Sequence, residues 1–193
     1  MSESKFKKTE IDEVEGAFLI KRPVHRDDRG DFCELFRHDN HKVFPVCMQE
    51  NHSFSYGGTL RGMHLQRDRP QGKLITCLYG IIHDVIFDLR PDSSTYLQGF
   101  SFELDFKSLR TLYCPPGCAH GFVTLSQFAV VHYGCTTTYD PDSDGGINYK
   151  DERLSHLWPD RMIPTLSQKD RLLPTVDEYR EKYLKGYESH AEQ

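Results

Sequence analysis

Two short segments hold most of the side chains suited to acid–base or anion chemistry: Gln49-Glu50-Asn51-His52-Ser53 and Thr59-Leu60-Arg61-Gly62-Met63-His64-Leu65-Gln66. Arg61 offers a planar guanidinium fork that matches a phosphate. Histidine as a residue type changes charge near neutrality, which makes His64 a candidate general base. On a strand, Gln49, Asn51 and Ser53 share one face. They either line an interior together or form an exposed polar strand. Arg61 and His64 are three positions apart, which on a regular strand puts them on opposite faces. Gly62 between them allows a bulge that brings them together. A lone histidine is more often structural than catalytic, and ten of them in the chain strengthen that plain reading.

Further along, Lys73 follows Gln71-Gly72 and opens an apolar run, where it either snorkels to the rim or reaches into a pocket. Asp84 lies inside the apolar run Ile81–Leu89; a buried carboxylate there needs a His, Arg or Lys partner. His120 follows a Pro-Pro-Gly turn and is a candidate for a pocket mouth. Tyr133 can donate a proton or simply pack in a core, and packing is the default for an arbitrary tyrosine. Asp170, in Ser167-Gln168-Lys169-Asp170-Arg171, reads alone as part of a solvated loop. A metal site of His64, His120 and Asp84 is disfavoured. The first segment reads His64-Leu65-Gln66 and lacks the second His of a metal-binding HxH pair.

The elements that must position these residues are strands. Short runs rich in β-branched and aromatic residues (AFLIKRPV, LITCLYG, LQGFSFELD, AVVHYGCTTTY) are separated by turn signals at 57–58, 67–72, 90–94, 115–117 and 141–146. Ser101–Phe106 alternates as a half-buried strand does, and Ile81–Leu89 is dense enough to be buried on both faces. There is no βαβ rhythm and no Gly-rich phosphate loop. The expected class is therefore all-β: a sandwich, jelly roll or barrel. Helix is expected only near the ends, above all over 176–187 behind Pro174 and Asp177. The expected organisation is a loosely ordered segment 1–16, one domain over 17–175, and a C-terminal helix and tail over 176–193.

At 193 residues the chain needs no disulfide or metal staple to fold. Its net charge of −5 disfavours nucleic acid or an anionic membrane as a partner, but not a local basic pocket for a small anion. No run of 18 apolar residues suggests a membrane span. The charged start MSESKFKKTE has no apolar signal core, so the expected location is cytoplasmic. The six cysteines form no CxxC pair and read as reduced, mostly buried thiols.

In combination these segments resemble the dTDP-4-dehydrorhamnose 3,5-epimerase family, nucleotide-sugar epimerases of the cupin superfamily. The resemblance runs from about Phe18 to Pro174. It is carried by D-x-R-G-x-F-x-E at Asp27–Glu34, Q-x-N-x-S at Gln49–Ser53 and LRG-x-H-x-Q at Leu60–Gln66. QGKL at Gln71–Leu74, DV-x-x-DLR at Asp84–Arg90, the AHGF run within Pro115–Ser126, the Tyr133/Tyr139 pair and LS-x-KD at Leu166–Asp170 complete it.

The resemblance implies a cupin-type jelly roll with short peripheral helices. It implies a homodimer that shares an N-terminal strand, no metal and no cofactor. The implied substrate is a nucleotide-diphospho-4-keto-6-deoxy sugar, inverted at C3 and C5 by proton abstraction beside the C4 ketone. His64 is then the base, Asp170 its orienting carboxylate, Tyr133 the acid on the opposite face and Lys73 the cation beside the enolate oxygen. Gln49, Asn51 and Arg61 match nucleotide and diphosphate contacts. Arg29 and Glu34 match residues supplied by the neighbouring protomer, and His120 and Tyr139 match pocket residues. Three departures stand out: Gly134 where the family often has Lys, Met63 and Leu65 around His64, and Tyr149 where a Trp is common. The alternatives are an epimerase acting at C3 or C5 alone, a 3,4-ketoisomerase and a non-catalytic sugar-binding cupin.

Overall fold

The computed structural model describes residues 6–37, 39–40 and 42–184. Its strands are β1 (Lys7–Glu10), β2 (Phe18–Lys21), β3 (His25–Asp27), β4 (Gly30–Phe32), β5 (Gln49–Tyr56), β6 (Leu60–Gln66) and β7 (Lys73–Tyr79). They continue as β8 (Ile81–Asp88), β9 (Gly99–Asp105), β10 (Arg110–Cys114), β11 (Cys118–Thr124), β12 (Phe128–Cys135) and β13 (Asp144–Gly146). A 3₁₀ segment (Glu152–Leu157) and two helices, α1 (Gln168–Arg171) and α2 (Val176–Tyr183), follow.

The strands form a six-stranded sheet, β1-β2-β10-β7-β12-β5, facing a five-stranded sheet, β13-β6-β11-β8-β9. The hairpin β3–β4 stands outside both sheets, and all its residues are exposed. This is a jelly roll of the cupin type, one of the all-β architectures that the spacing of turns and strands allows and the one that the resemblance implies.

Strand alternation builds the interior. On β8, Ile82 and Ile86 join Ile75, Cys77, Leu112, Phe122 and Val131 between the sheets. Val85 and Phe87 face the other way, under Leu154, Trp158, Val176 and Tyr179 of the C-terminal segment. The apolar density of this run thus reflects a strand covered on both sides. The outer face of the six-stranded sheet carries a second layer. Phe18, Ile20 and Leu74 are covered there by Phe36, Val43 and Phe44.

Two boundaries differ from the sequence reading. Lys7–Glu10, inside the segment expected to be loosely ordered, pairs as β1 with β2. Backbone ladders need no apolar side chains, and Ile11 and Val14 just beyond anchor the segment in the core. The C-terminal helix begins where expected, behind a Thr175/Glu178 capping box, but ends at Tyr183 with Leu184 as its cap. The last residues of the expected helix, from 185 on, lie outside the described residues.

One irregularity matters for function. Leu60 and Met63 belong to the same buried cluster although they are three positions apart, so β6 changes face between them. The register gives the cause. His120 pairs with His64 and Phe122 with Arg61, so β6 holds one more residue than β11 over this stretch. Gly62 takes up the bulge at φ +121°, where a Cβ would lie 2.6 Å from the Gly121 Cα and 2.7 Å from the His120 carbonyl oxygen. Gly62→Ala should therefore destabilise the fold by about 1–3 kcal/mol. The check is the urea midpoint at unchanged m; a midpoint equal to that of the parent protein would refute the close approach.

Candidate active site

At one end of the sandwich the inward positions turn polar. The six-stranded sheet contributes Lys73 from β7, Tyr133 and Cys135 from β12, and Asn51 and Ser53 from β5. Their register sets them side by side: Cys135 is opposite Lys73 on one neighbour and Gln49 on the other, and Tyr133 is opposite Asn51. The facing sheet contributes Arg61, His64 and Gln66 from β6 and His120 from β11. Together they line a cavity of about 420 Å³ whose rim includes Tyr139, Asp144, Ser167, Lys169 and Asp170.

Asp170 belongs to α1, a single turn capped by Ser167, whose Oγ accepts the Asp170 N–H at 3.0 Å. The turn is tethered to β6 through Thr165, which pairs with the backbone of Gly58 and Leu60. That tether brings Asp170 Oδ1 to 2.6 Å from His64 Nε2. Asp170 is only 4% exposed. Burial alone would raise its pKa. The hydrogen bond and charge of His64, the Gly62 amide and the Ser167 hydroxyl outweigh that and hold the carboxyl below its ordinary range. An ionised Asp170 accepts, so Nε2 carries the proton and Nδ1 is left as the basic nitrogen.

A second His–Asp pair lies deeper. His120 Nε2 sits 3.0 and 2.9 Å from the two oxygens of Asp84, which is fully buried. Burial pushes Asp84 up, and the neighbouring His120 only partly offsets it. Asp84 thus finds one of its expected partners, and His120 is directly opposite His64 in the sheet.

The Tyr133 hydroxyl lies 3.2 Å from Ser53 Oγ, with its ring edge-on to His120. Burial raises its pKa well above that of a free phenol, against weaker lowering by Ser53. Tyr133 therefore stays protonated and able to donate. Lys73 Nζ approaches the His64 carbonyl at 3.4 Å. Arg61 is held at the mouth by bonds to Ser55 Oγ (2.9 Å) and the Phe54 carbonyl (3.2 Å). Gln49 stands behind the wall, accepting the Tyr139 N–H at 2.8 Å and donating to Asn51 at 3.0 Å.

The residues singled out from sequence thus fall into two groups. His64, Lys73, Tyr133, Asp170, Asn51, Arg61, His120 and Tyr139 line one cavity, with Gln49 supporting it. Arg29 and Glu34 do not. Arg29 is exposed beside the β3–β4 turn and paired with Asp27, and Glu34 is paired with Arg37. The sequence reading missed Asp144, and it named Gln66 and Lys169 within motifs without giving either a role. Asp144 accepts from Tyr139 Oη at 2.9 Å and pairs with Lys169. Asp144 lay in a stretch that reads simply as a turn, while Lys169 adjoined Asp170 in a motif that gave it no role. Among the described residues, no three His, Cys, Asp or Glu side chains gather to hold a metal ion.

Fold and site together define a cupin-type jelly-roll enzyme equipped for proton transfer. Comparison with known proteins narrows this. Residues 11–178 match the family model described as dTDP-4-dehydrorhamnose 3,5-epimerase. A dTDP-4-dehydrorhamnose 3,5-epimerase from Methanothermobacter thermautotrophicus is 40% identical over 89% of this chain and 94% of its own. Among solved structures, a 4-keto-6-deoxy sugar epimerase from the novobiocin gene cluster of Streptomyces spheroides superposes with a TM-score of 0.86 at 31% identity, covering 93% of this chain and 92% of that one. A dTDP-6-deoxy-D-glucose-3,5-epimerase from Legionella pneumophila, solved with dTDP-4-keto-L-rhamnose, gives 0.83 at 34% identity, over 92% and 95%. The chain belongs to the dTDP-4-dehydrorhamnose 3,5-epimerase family.

The depressed Asp170 pKa has a stability consequence. A carboxyl whose folded pKa lies below its unfolded value of about 3.9 adds stability above that value and loses it as pH falls through the folded one. The unfolding free-energy difference between the parent protein and Asp170→Asn should therefore shrink as pH drops below about 4. A difference that holds steady in urea titrations across that range would contradict the ionised pair.

Proposed function

We propose that the chain inverts C3 and C5 of a dTDP-4-keto-6-deoxy sugar through an enolate, using His64 and Tyr133 as base and acid. One observation carries the reading: His64 and Tyr133 project from opposite sheets into the same cavity. A sugar ring held between those walls presents one face to each. Removal of a proton by His64 and its return from Tyr133 on the far face inverts the carbon.

The C4 ketone makes the neighbouring C–H bonds acidic, yet far less so than an imidazolium of pKa about 6.5. The enolate must therefore be stabilised as it forms. Lys73 supplies a cation in the cavity for the developing oxyanion. Asp170 orients the His64 ring and compensates the imidazolium, as the carboxylate of a catalytic triad does. Arg61, Asn51 and Lys169 offer donors to the diphosphate, and Tyr139 offers an exposed ring to the base. This set is intact, which favours epimerisation over a sugar-binding role.

The reading also takes the chain to be a homodimer. Arg29 and Glu34 stand away from their own cavity, and the hairpin bearing Arg29 ends in Phe32, 69% exposed. Both features suit an arm that completes the pocket of a second copy.

The test is NMR with dTDP-4-keto-6-deoxyglucose in D₂O. Deuterium should enter both C3 and C5, with inversion at both. His64→Ala should abolish exchange, a loss of at least about 10²–10⁴-fold, and undiminished exchange would sink the assignment. Tyr133→Phe should retain exchange but lose inversion. Catalysis by a histidine base requires a neutral imidazole, so activity should fall on the acid side, and a rate still climbing below about pH 5 overturns the base. Because burial raises Tyr133, its own loss of function should begin only above the ordinary phenol value of about 10.

A further inference from the structure

Arg22 is 4% exposed, lies outside the catalytic cavity, and has no carboxylate within ion-pair distance among the described residues. Its guanidinium is nevertheless heavily used. Nε and Nη2 donate to the Leu35 carbonyl at 3.3 and 3.1 Å, Nη1 to the Leu109 carbonyl at 3.3 Å, and Nη2 to Thr76 Oγ1 at 2.9 Å. Thr76 Oγ1 in turn lies 2.8 Å from Thr111 Oγ1. Burial pulls the Arg22 pKa down to about 10, with a small opposing effect from Cys33.

A buried cation with no counter-charge is a poor choice for stability alone. An apolar side chain of similar length fills such a space at equal or lower cost. What a guanidinium adds is a rigid, planar set of donors that fixes three acceptors in one orientation. Here the acceptors come from three pieces of chain. Thr76 is on β7, the strand that begins at Lys73. Leu109 is in the turn before β10. Leu35 adjoins Glu34 and follows the hairpin that bears Arg29.

We propose that Arg22 is a positioning residue that clamps the base of the β3–β4 arm to the outer face of the six-stranded sheet, so that Arg29 and Glu34 reach a second copy's pocket at a fixed angle. The proposal rests on the reading of the arm given above. The clamp lies on the face of β7 opposite Ile75 and Cys77, and it uses none of the proton-transfer groups. Its loss weakens substrate capture and leaves the chemical step alone.

The experiment compares Arg22→Met, Arg22→Lys, Arg29→Ala and the Arg22→Met/Arg29→Ala double variant, with dTDP-4-keto-6-deoxyglucose as substrate. Arg22→Met should raise KM about tenfold with kcat within about twofold, the pattern of lost binding with the transition-state step untouched. Arg22→Lys should recover part of the loss. In the Arg29→Ala background, Arg22→Met should add less than about threefold, because both act through the same arm. Amide hydrogen exchange should speed up over 30–37 and remain unchanged in β7 and β12. A merely structural role predicts the opposite: lower thermal stability, kcat falling with the folded fraction, and faster exchange throughout the sheet. KM within twofold of the parent in Arg22→Met, or an undiminished tenfold effect on top of Arg29→Ala, overturns the proposal. If Arg29→Ala itself leaves KM unchanged, the arm reading falls and takes this one with it. If Arg29→Ala raises KM and Arg22→Met does not, only the clamp falls. Should Arg22→Met not fold, Arg22→Lys read by exchange over 30–37 decides: local loosening supports the clamp, and none refutes it.

Discussion

A β-strand can point two residues three positions apart into the same space only if it gains a residue relative to its neighbour. The chemistry of this protein depends on that constraint. The bulge at Gly62 keeps Leu60 and Met63 in one apolar cluster while Arg61 and His64 both line the cavity. Without it, either Arg61 or His64 would be turned into the hydrophobic layer beneath the C-terminal helix. The close packing of Gly62 against Gly121 follows, since two strands can approach this tightly only where neither has a side chain in the way.

With β6 so arranged, the two-sheet architecture does the rest. One wall carries His64 and the other carries Tyr133. The same wall-to-wall geometry separates two chemically similar His–Asp pairs by depth. Asp170 near the rim is held ionised by the groups around it, while Asp84 in the interior is pushed towards its neutral form. The difference comes from how much water each has lost and how many donors replace it. The outer pair thus keeps a charged carboxylate at the cavity's edge, and the inner pair holds the wall against which Tyr133 packs.

The all-β class and the doubly covered β8 were legible in alternation and turn spacing, because both follow from local periodicity. The possibility of a bulge at Gly62 was legible too, but only as an option, since register depends on the partner strand. Asp170 and Tyr133 illustrate the opposite case. A carboxylate in a polar loop and a tyrosine in an apolar strand look ordinary. Asp170 reaches His64, 106 positions away in sequence, only through the tether of Thr165 to Gly58 and Leu60, and Tyr133 takes its significance from what faces it across the sandwich. Resemblance to a family supplied those roles where periodicity could not. Asp144 escaped even that, because it lies in a turn that carries no pattern of its own, and Lys169 stood in the LS-x-KD motif without a role attached. Arg22 was invisible as well: its three acceptors are a carbonyl, a carbonyl and a hydroxyl, two of which any residue could provide.

The cavity's three cations, Arg61, Lys73 and Lys169, outnumber its two carboxylates, Asp144 and Asp170, in a chain whose net charge is −5. An approaching diphosphate therefore meets two fields of opposite sign. The distant one repels, and counter-ions damp it over a Debye length of about 8–10 Å at physiological salt. The near one attracts within a partly enclosed, poorly screened space. Moderate salt consequently removes the obstacle before it weakens the lure, and capture is expected to pass through a maximum as ionic strength rises, unlike the steady decline seen when a protein and its ligand carry opposite charges throughout.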